Sequence, residues 1–285
     1  NFSHGNTMTN VTSPSFDFVF ERFTEEHLDA GVALSSAVGW THRRKDWEML
    51  LPFSRGIVAR HNGRVVGTAF RADFGDALST INMIIVEKTM RSRGLGRALM
   101  TTAIGDEDRC LRLVATVSGR PLYEKLGFKT VANIMCVQGI MKDPGTTTGV
   151  RDAVFDDLPA IAALESASFG GDRAALINWF GKNARLAVIE DAGKITGFAA
   201  CRRFGNGHVI GPVVAPSAEK GLSLIAFLAK DLIDELLRLD LSEASGLHDA
   251  LKEMGLTESY LAPIMQRGDV TATSDRLAFV SQALA

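Results

Sequence analysis

The feature that most constrains this chain is that its pattern runs twice. Asp191-Ala192-Gly193-Lys194-Ile195-Thr196-Gly197-Phe198-Ala199 echoes His61-Asn62-Gly63-Arg64-Val65-Val66-Gly67-Thr68-Ala69, 130 positions on. Lys252-Glu253-Met254-Gly255-Leu256 echoes Glu124-Lys125-Leu126-Gly127-Phe128, 128 positions on. Two matches in the same order, at nearly the same offset, predict a duplicated unit of ordinary domain size rather than one large core. Between the anchors, each half holds an apolar strand followed by an amphipathic helix, which in the second half is expected over Ser217–Leu239. The linker Lys142-Asp143-Pro144-Gly145-Thr146-Thr147-Thr148-Gly149 separates the copies, giving expected domains at 14–142 and 150–285.

Within the first copy, Asp17–Glu21 reads as a strand, and Thr24 with Glu25 and Glu26 as a helix start. A second helix is expected from Thr41, carrying Trp47, Leu50 and Leu51. Ile57–Arg60 and Val65–Phe70 flank Asn62-Gly63, a pair that tolerates positive φ and so favours a tight hairpin. Next come the strand Ile81–Val86, a Gly-rich turn, and a helix with Leu95, Ala98, Leu99 and Thr102 on one face. Leu111–Thr116 reads as a strand, Leu122–Leu126 as a short helix closed by Gly127, and 130–141 as a last strand.

The chemistry concentrates in Val86-Glu87-Lys88-Thr89-Met90-Arg91-Ser92-Arg93-Gly94-Leu95-Gly96-Arg97. A strand running into a loop that opens a helix brings several backbone N–H groups to one point, where the helix dipole favours an anion. Gly94 and Gly96 let a diphosphate approach the backbone, and Arg91, Arg93 and Arg97 add positive charge. The loop has neither the GK[ST] of a Walker A sequence nor the third glycine of a dinucleotide fold, and it lacks the Lys and metal-binding hydroxyl of an ATP site.

Arg91-Ser92-Arg93-Gly94-Leu95-Gly96 resembles the R/Q-x-x-G-x-G/A signature of the GNAT acetyltransferases, and Tyr123-Glu124-Lys125-Leu126-Gly127-Phe128 resembles a second segment of that family. The likeness covers residues 16–141 well, and 150–268 resembles the divergent second unit of tandem bacterial members. It implies an α/β (α+β) fold of two tandem units, each a twisted mixed sheet flanked by helices. It also implies acetyl-CoA as cosubstrate and a small-molecule or peptide amine as acceptor.

Residue by residue, the resemblance implies that the amides of Arg93, Gly94, Leu95, Gly96 and Arg97 hold the CoA diphosphate, while Ile84 and Val86 pair by backbone with the pantetheine. Thr116 stands where many relatives have Asn, and Tyr123 would point its hydroxyl at the CoA sulfur. A neutral amine then attacks the thioester, a backbone N–H near Val86 steadies the oxyanion, and the phenol protonates the departing thiolate. No carboxylate lies on 81–86; Asp46, Asp73 and Asp76 read as solvated surface charges, so no base is assigned. Trp40, Thr41, His42 and Trp47 fall in the region that borders the acceptor in this family, with the tryptophans read as packing residues. The alternative is an acetyl-CoA-binding sensor or structural module, and Tyr123 discriminates, because a pure binder needs no proton donor. In the second copy, Leu222, Leu224 and Leu251 stand opposite Gly94, Gly96 and Tyr123, and Glu219 opposite Arg91, so that unit is expected to have lost the cofactor.

The net charge of -2 and pI near 6.3 give no electrostatic reason to expect nucleic acid or an anionic membrane as partner. No apolar run approaches the ~20 residues of a membrane helix, and a cytoplasmic location is expected. Cys110, Cys136 and Cys201 read as small buried hydrophobes, and the six scattered histidines suggest no metal site. Met8 is one candidate for the native start.

Overall fold

A computed structural model describes residues 9–13, 16–106 and 109–285, so the expectation about Met8 lies outside the described residues. The first half runs β1 (Thr9–Ser13), β2 (Phe16–Arg22), α1 (Leu28–Ala37), α2 (Arg44–Glu48), β3 (Ser54–His61), β4 (Arg64–Phe74), β5 (Leu78–Val86), α3 (Leu95–Ile104), β6 (Cys110–Val114), α4 (Arg120–Lys125) and β7 (Lys129–Ile140). The second half repeats the order with β8 (Val150–Asp152), α5 (Leu158–Phe169), α6 (Ala174–Asn183), β9 (Arg185–Asp191), β10 (Lys194–Phe204), β11 (Gly207–Val214), α7 (Ala218–Ala229), β12 (Leu236–Ser242), α8 (His248–Glu253), β13 (Thr257–Arg267) and β14 (Arg276–Phe279).

The repeat is visible in matched backbone detail. Asn62 and Gly63 turn the first hairpin at φ 50° and 77°, and Ala192 and Gly193 turn its counterpart at 48° and 75°. Gly127 and Gly255 end α4 and α8 at φ 86° and 97°, a conformation that costs glycine nothing. Three expectations need correction. α2 begins at Arg44 rather than Thr41 and holds only five residues. Thr102 is exposed and returns its hydroxyl to the Ala98 carbonyl (2.9 Å), so the buried face of α3 is Leu95, Leu99, Met100 and Ala103. The helix expected to Leu239 stops at Ala229, because Leu237, Leu239 and Leu241 alternate with polar neighbours at period two and build β12 instead.

All fourteen strands of the described residues join one sheet, ordered β1-β2-β3-β4-β5-β6-β13-β7-β12-β14-β11-β10-β9-β8. The two halves interdigitate in the middle. β13 of the second half lies between β6 and β7, and β7 of the first half lies between β13 and β12. On one face, α1, α2, α5 and α6 share a core that includes Trp47, Phe70, Phe169 and Phe180. On the other face, α3 covers Ile81 and Leu111, and α7 covers Ile210 and Leu239.

Each half also docks a hairpin tip into the other. Asp172 N–H donates to the Phe74 carbonyl at 3.2 Å, and Gly205 N–H donates to Asp46 Oδ2 at 3.0 Å. Asp46 is therefore a buried bridge and not a solvated charge: burial raises its pKa, but hydrogen bonds from Arg43 and the Gly205 amide outweigh that and hold it below the ordinary value. Asp73 is exposed, as a surface charge would be, and is paired with Arg71 and Arg55. Trp47 is fully buried, stacked on Phe23 with its indole N–H 3.3 Å from Ser35 Oγ, as a packing residue would be. All three cysteines are free and buried.

Candidate active site

The site begins where two parallel strands part. β5 and β6 pair only over Leu78–Thr80 and Cys110–Arg112. β6 keeps β13 on its other edge from Leu111↔Arg267 to Val114↔Ile264, and the Ala115 N–H to Pro263 carbonyl bond of 2.9 Å carries that pairing on. Among the described residues, its edge toward β5 is left without a partner strand past Arg112. The cause is a bulge. Opposite Ala69, β5 places both Met83 and Ile84, and Met83 takes φ +48°, which bends the strand away. Ile84 and Val86, both partly exposed, lie on the diverging part of β5, and among the described residues no strand pairs with its free edge there.

β5 runs into the loop and α3. Gly94 is the cap residue at φ +81°, a value open to glycine, and the first intrahelical bond is Ala98 N–H to Gly94 carbonyl. The amides of Leu95, Gly96 and Arg97 therefore lack intrahelical acceptors, as in the first turn of any helix. Leu95 is buried with its side chain in the core, leaving only its amide for a ligand. Arg91 and Arg97 are exposed, Arg93 is partly buried, and Arg91 Nε reaches the Val86 carbonyl at 3.4 Å. Gly96 is where β5, α3 and α4 meet: a Cβ there would lie 3.5 Å from Leu122 and 3.8 Å from Val86. Those are ordinary contacts, so the protein itself leaves room beside this backbone, which fits a group as large as a diphosphate approaching the amides.

Thr116 lies beyond the end of β6, not in it; its exposed hydroxyl accepts the Gly119 N–H (3.2 Å) and meets Ser118 Oγ (3.3 Å). Tyr123 on α4 is 5% exposed and meets Phe128 edge-on. Its hydroxyl lies over Gly119, where a Cβ would come within 2.8 Å. Gly119 is thus a packing requirement of Tyr123, legible only as a glycine four residues before it. Burial pushes the Tyr123 phenol up to about 12, so it stays protonated at any working pH.

The second half builds the same junction and closes it. β11 and β12 pair only at His208↔Leu237 and Val209↔Arg238, and β11 bulges at Gly211 and Pro212. Here β14 enters the gap, pairing Val213↔Ala278 with β11 and Leu241↔Ala278 with β12. Gly221 packs against β14: a Cβ there would lie 2.2 Å from Leu277, and Ser217 Oγ accepts the Lys220 N–H (3.3 Å) to cap α7. Leu251 occupies the place of Tyr123, fully buried. A buried triad pins β14: Glu165 accepts from Arg276 (2.9 Å) and Arg173 (3.1 Å), with Arg173 lying 3.7 Å over the Phe169 ring.

The sequence matches the Acetyltransferase (GNAT) domain family twice, over residues 52–130 and 161–279. It is 30% identical over 275 residues to the uncharacterized N-acetyltransferase YitH of Bacillus subtilis, covering 91% of this chain and 96% of YitH. The chain belongs to the GNAT acetyltransferases, with two GNAT domains in tandem. The fold is also similar to a proposed acetyltransferase from Pyrococcus horikoshii, at a TM-score of 0.81 and 18% identity, covering 99% of this chain and 100% of that one. A tandem GNAT protein from the clavulanic acid biosynthesis pathway is similar at TM-score 0.61 and 16% identity, over 88% of this chain and 98% of that one.

The junction of the first half is distinct from a cleft on the second half. That cleft of about 530 Å³, lined by Lys182, Arg203, His208 and Asp231 among others, shares no residue with 84–97. Among the described residues, no three His, Cys, Asp or Glu side chains converge as a metal site, and no helix is long and apolar enough to cross a membrane.

Proposed function

We propose that the first GNAT domain binds acetyl-CoA and passes its acetyl group to a primary amine, while the second domain binds no cofactor. The observation that carries this reading is the contrast between two equivalent strand junctions: β5 and β6 part with no strand between them, and β11 and β12 part around β14. Open backbone along Ile84 and Val86 suits an extended amide-bearing arm, and the first turn of α3, with Arg91, Arg93 and Arg97 around it, suits a diphosphate. Domains 14–142 and 150–285 would thus divide the work into a catalytic and a supporting unit.

The amine nitrogen first bonds to the thioester carbonyl carbon, whose C=O π electrons move onto oxygen, and the carbon–sulfur bond breaks as the carbonyl re-forms. A β5 backbone N–H near Val86 would steady the oxyanion between those events. The amine releases its proton to water, and the Tyr123 hydroxyl gives one to the departing thiolate and regains it from water. A phenol near 12 is a weaker acid than a free one. The same dry surroundings raise the thiol as well, so the two shift together and the transfer remains feasible.

Thiol release from acetyl-CoA, measured with a panel of primary amines, tests this reading. Amine-dependent release is expected. Thermal stabilisation by CoA without release by any amine would favour the non-catalytic module instead.

A further inference from the structure

We infer that Asn82 is the side chain that receives the acceptor amine; this rests on the acetyl-transfer reading above. Asn82 is the last residue of β5 before the bulge, directly ahead of the strand's divergent part. It is 5% exposed, and neither its amide nitrogen nor its amide oxygen has a hydrogen-bond partner. Buried polar groups in folded proteins are nearly always paired, so an amide with both ends unmet needs a reason.

The second domain has no amide there. Ile210 packs on the α7 side as Ile81 packs on the α3 side, so the counterpart of Asn82 is the next residue, Gly211. A Cβ on Gly211 would lie 2.0 Å from the Phe279 carbonyl of β14. The domain whose junction is closed by β14 has glycine facing that strand, and the domain whose junction is open has the amide.

Its direction agrees. Side chains alternate along β5, and Ile81 faces the α3 side while Leu78, Met83 and Ile85 join the core of α1, α2, α5 and α6. Asn82 thus points to the face opposite the phosphate loop, where a second substrate can meet a thioester carried between the strands. Thr80, two residues earlier on that face and also buried, has an unpartnered hydroxyl as well. A neutral amide can donate to and accept from an uncharged amine without titrating, which matches attack by a free-base nucleophile.

The approach is covered by the chain itself. Val280 and Leu284 share the core with Met83 and Ile85, and the turn Gln282–Leu284 packs against both β5 and β6, held by Arg173 Nη2 to the Leu284 carbonyl at 3.0 Å. An acceptor that reaches Asn82 takes the place of this segment, so residues 280–285 move when it binds.

Asn82→Leu tests the assignment, because a structural and a functional role predict opposite results. The variant should melt at least about 2 °C higher than wild type. Its stabilisation by CoA should be unchanged. Its kcat/KM for the best amine among an alkylamine, an arylalkylamine, an amino acid and a lysine peptide should fall about 10-fold. Unchanged amine kinetics would overturn the inference, and so would a lower melting temperature, which would mean that the amide is held by the fold. Should wild type release no thiol with any of these amines, the acetyl-transfer reading fails separately. Calorimetric titration of the same amines into the CoA-saturated proteins then decides: binding to wild type that Asn82→Leu abolishes upholds the role, and equal binding or none overturns it.

Discussion

The two halves of this chain share hairpin turns, helix caps and a strand bulge, yet differ at the one place where a cofactor could enter. In the first, the parting of β5 and β6 leaves backbone of Ile84 and Val86 uncovered at the foot of a glycine-capped helix. In the second, β14 spans the equivalent gap, Leu277 packs on Gly221, and Ser217 caps the helix. The same topology thus yields an open junction or a closed sheet according to what fills a space about one strand wide. On the acetyl-CoA reading proposed above, losing the glycines alone would weaken a phosphate site, and backbone in the gap would leave no room for the arm.

The largest effect is expected from the anchor of that filling strand. Glu165 is fully buried and is the counter-charge of both Arg173 and Arg276, so Glu165→Ala leaves two guanidiniums unpaired. A loss of about 3–5 kcal/mol is expected in denaturant unfolding. A loss under about 1 kcal/mol would mean that the triad does not hold β14 in place.

Tyr123→Phe should lower kcat on the order of 10²-fold, about 2.7 kcal/mol of barrier, with little change in acetyl-CoA affinity. The raised phenol adds a check: no alkaline limb from Tyr123 should appear in the kcat profile below about pH 10. Unaltered turnover, with chemistry rate-limiting, would make Tyr123 a packing residue like its counterpart Leu251.

Gly96→Val is a cleaner probe of the phosphate loop than a change at Gly94, whose φ of +81° would strain any side chain. At CoA concentrations of 100 times Kd, wild type should gain about 2.7 kcal/mol, and the variant close to none. Gly221→Val should instead lower stability, through Leu277, and leave the CoA effect untouched. Calorimetry should count one CoA per chain; two comparable sites, or binding that survives Gly96→Val, would erase the contrast between the halves.

The smallest effect concerns the joint between the halves. His42 of the first packs edge-on against Phe204 of the second, and burial pushes its imidazole from 6.5 down to about 4. Above pH 6.5 the ring is neutral in both folded and unfolded chains. As pH falls from 6.5 to 4 only the unfolded chain takes the proton, so stability is lost across that window. Because the ring is partly exposed, a loss on the order of 1–2 kcal/mol is expected, below the full equivalent of the shift. His42→Phe should flatten that part of the stability profile, as followed by thermal melts.

Much of the first site was legible because its determinants are local. Gly94 and Gly96 mark a helix start, and Asn62-Gly63 marks a hairpin. The period-two leucines at 237, 239 and 241 marked a strand too, and the helix expected to Leu239 overlooked them. Asn82 was hidden for a different reason: an asparagine in an apolar strand is notable only once its burial and lack of partners are known. Asp46 looked solvated because its partners, Arg43 aside, come from the other half, through the Gly205 amide.

By itself, the sequence determined the duplication, the turn residues, the glycine-capped helix and the position of Tyr123, since each depends on φ preferences and spacing within a few residues. Only the tertiary structure decided that β13 lies beside β6, that β14 closes the second junction, and that the first stays open. Strand partners are chosen by backbone hydrogen bonds, which every residue but proline can make, so the sequence carries little local record of which distant edge a strand will complete.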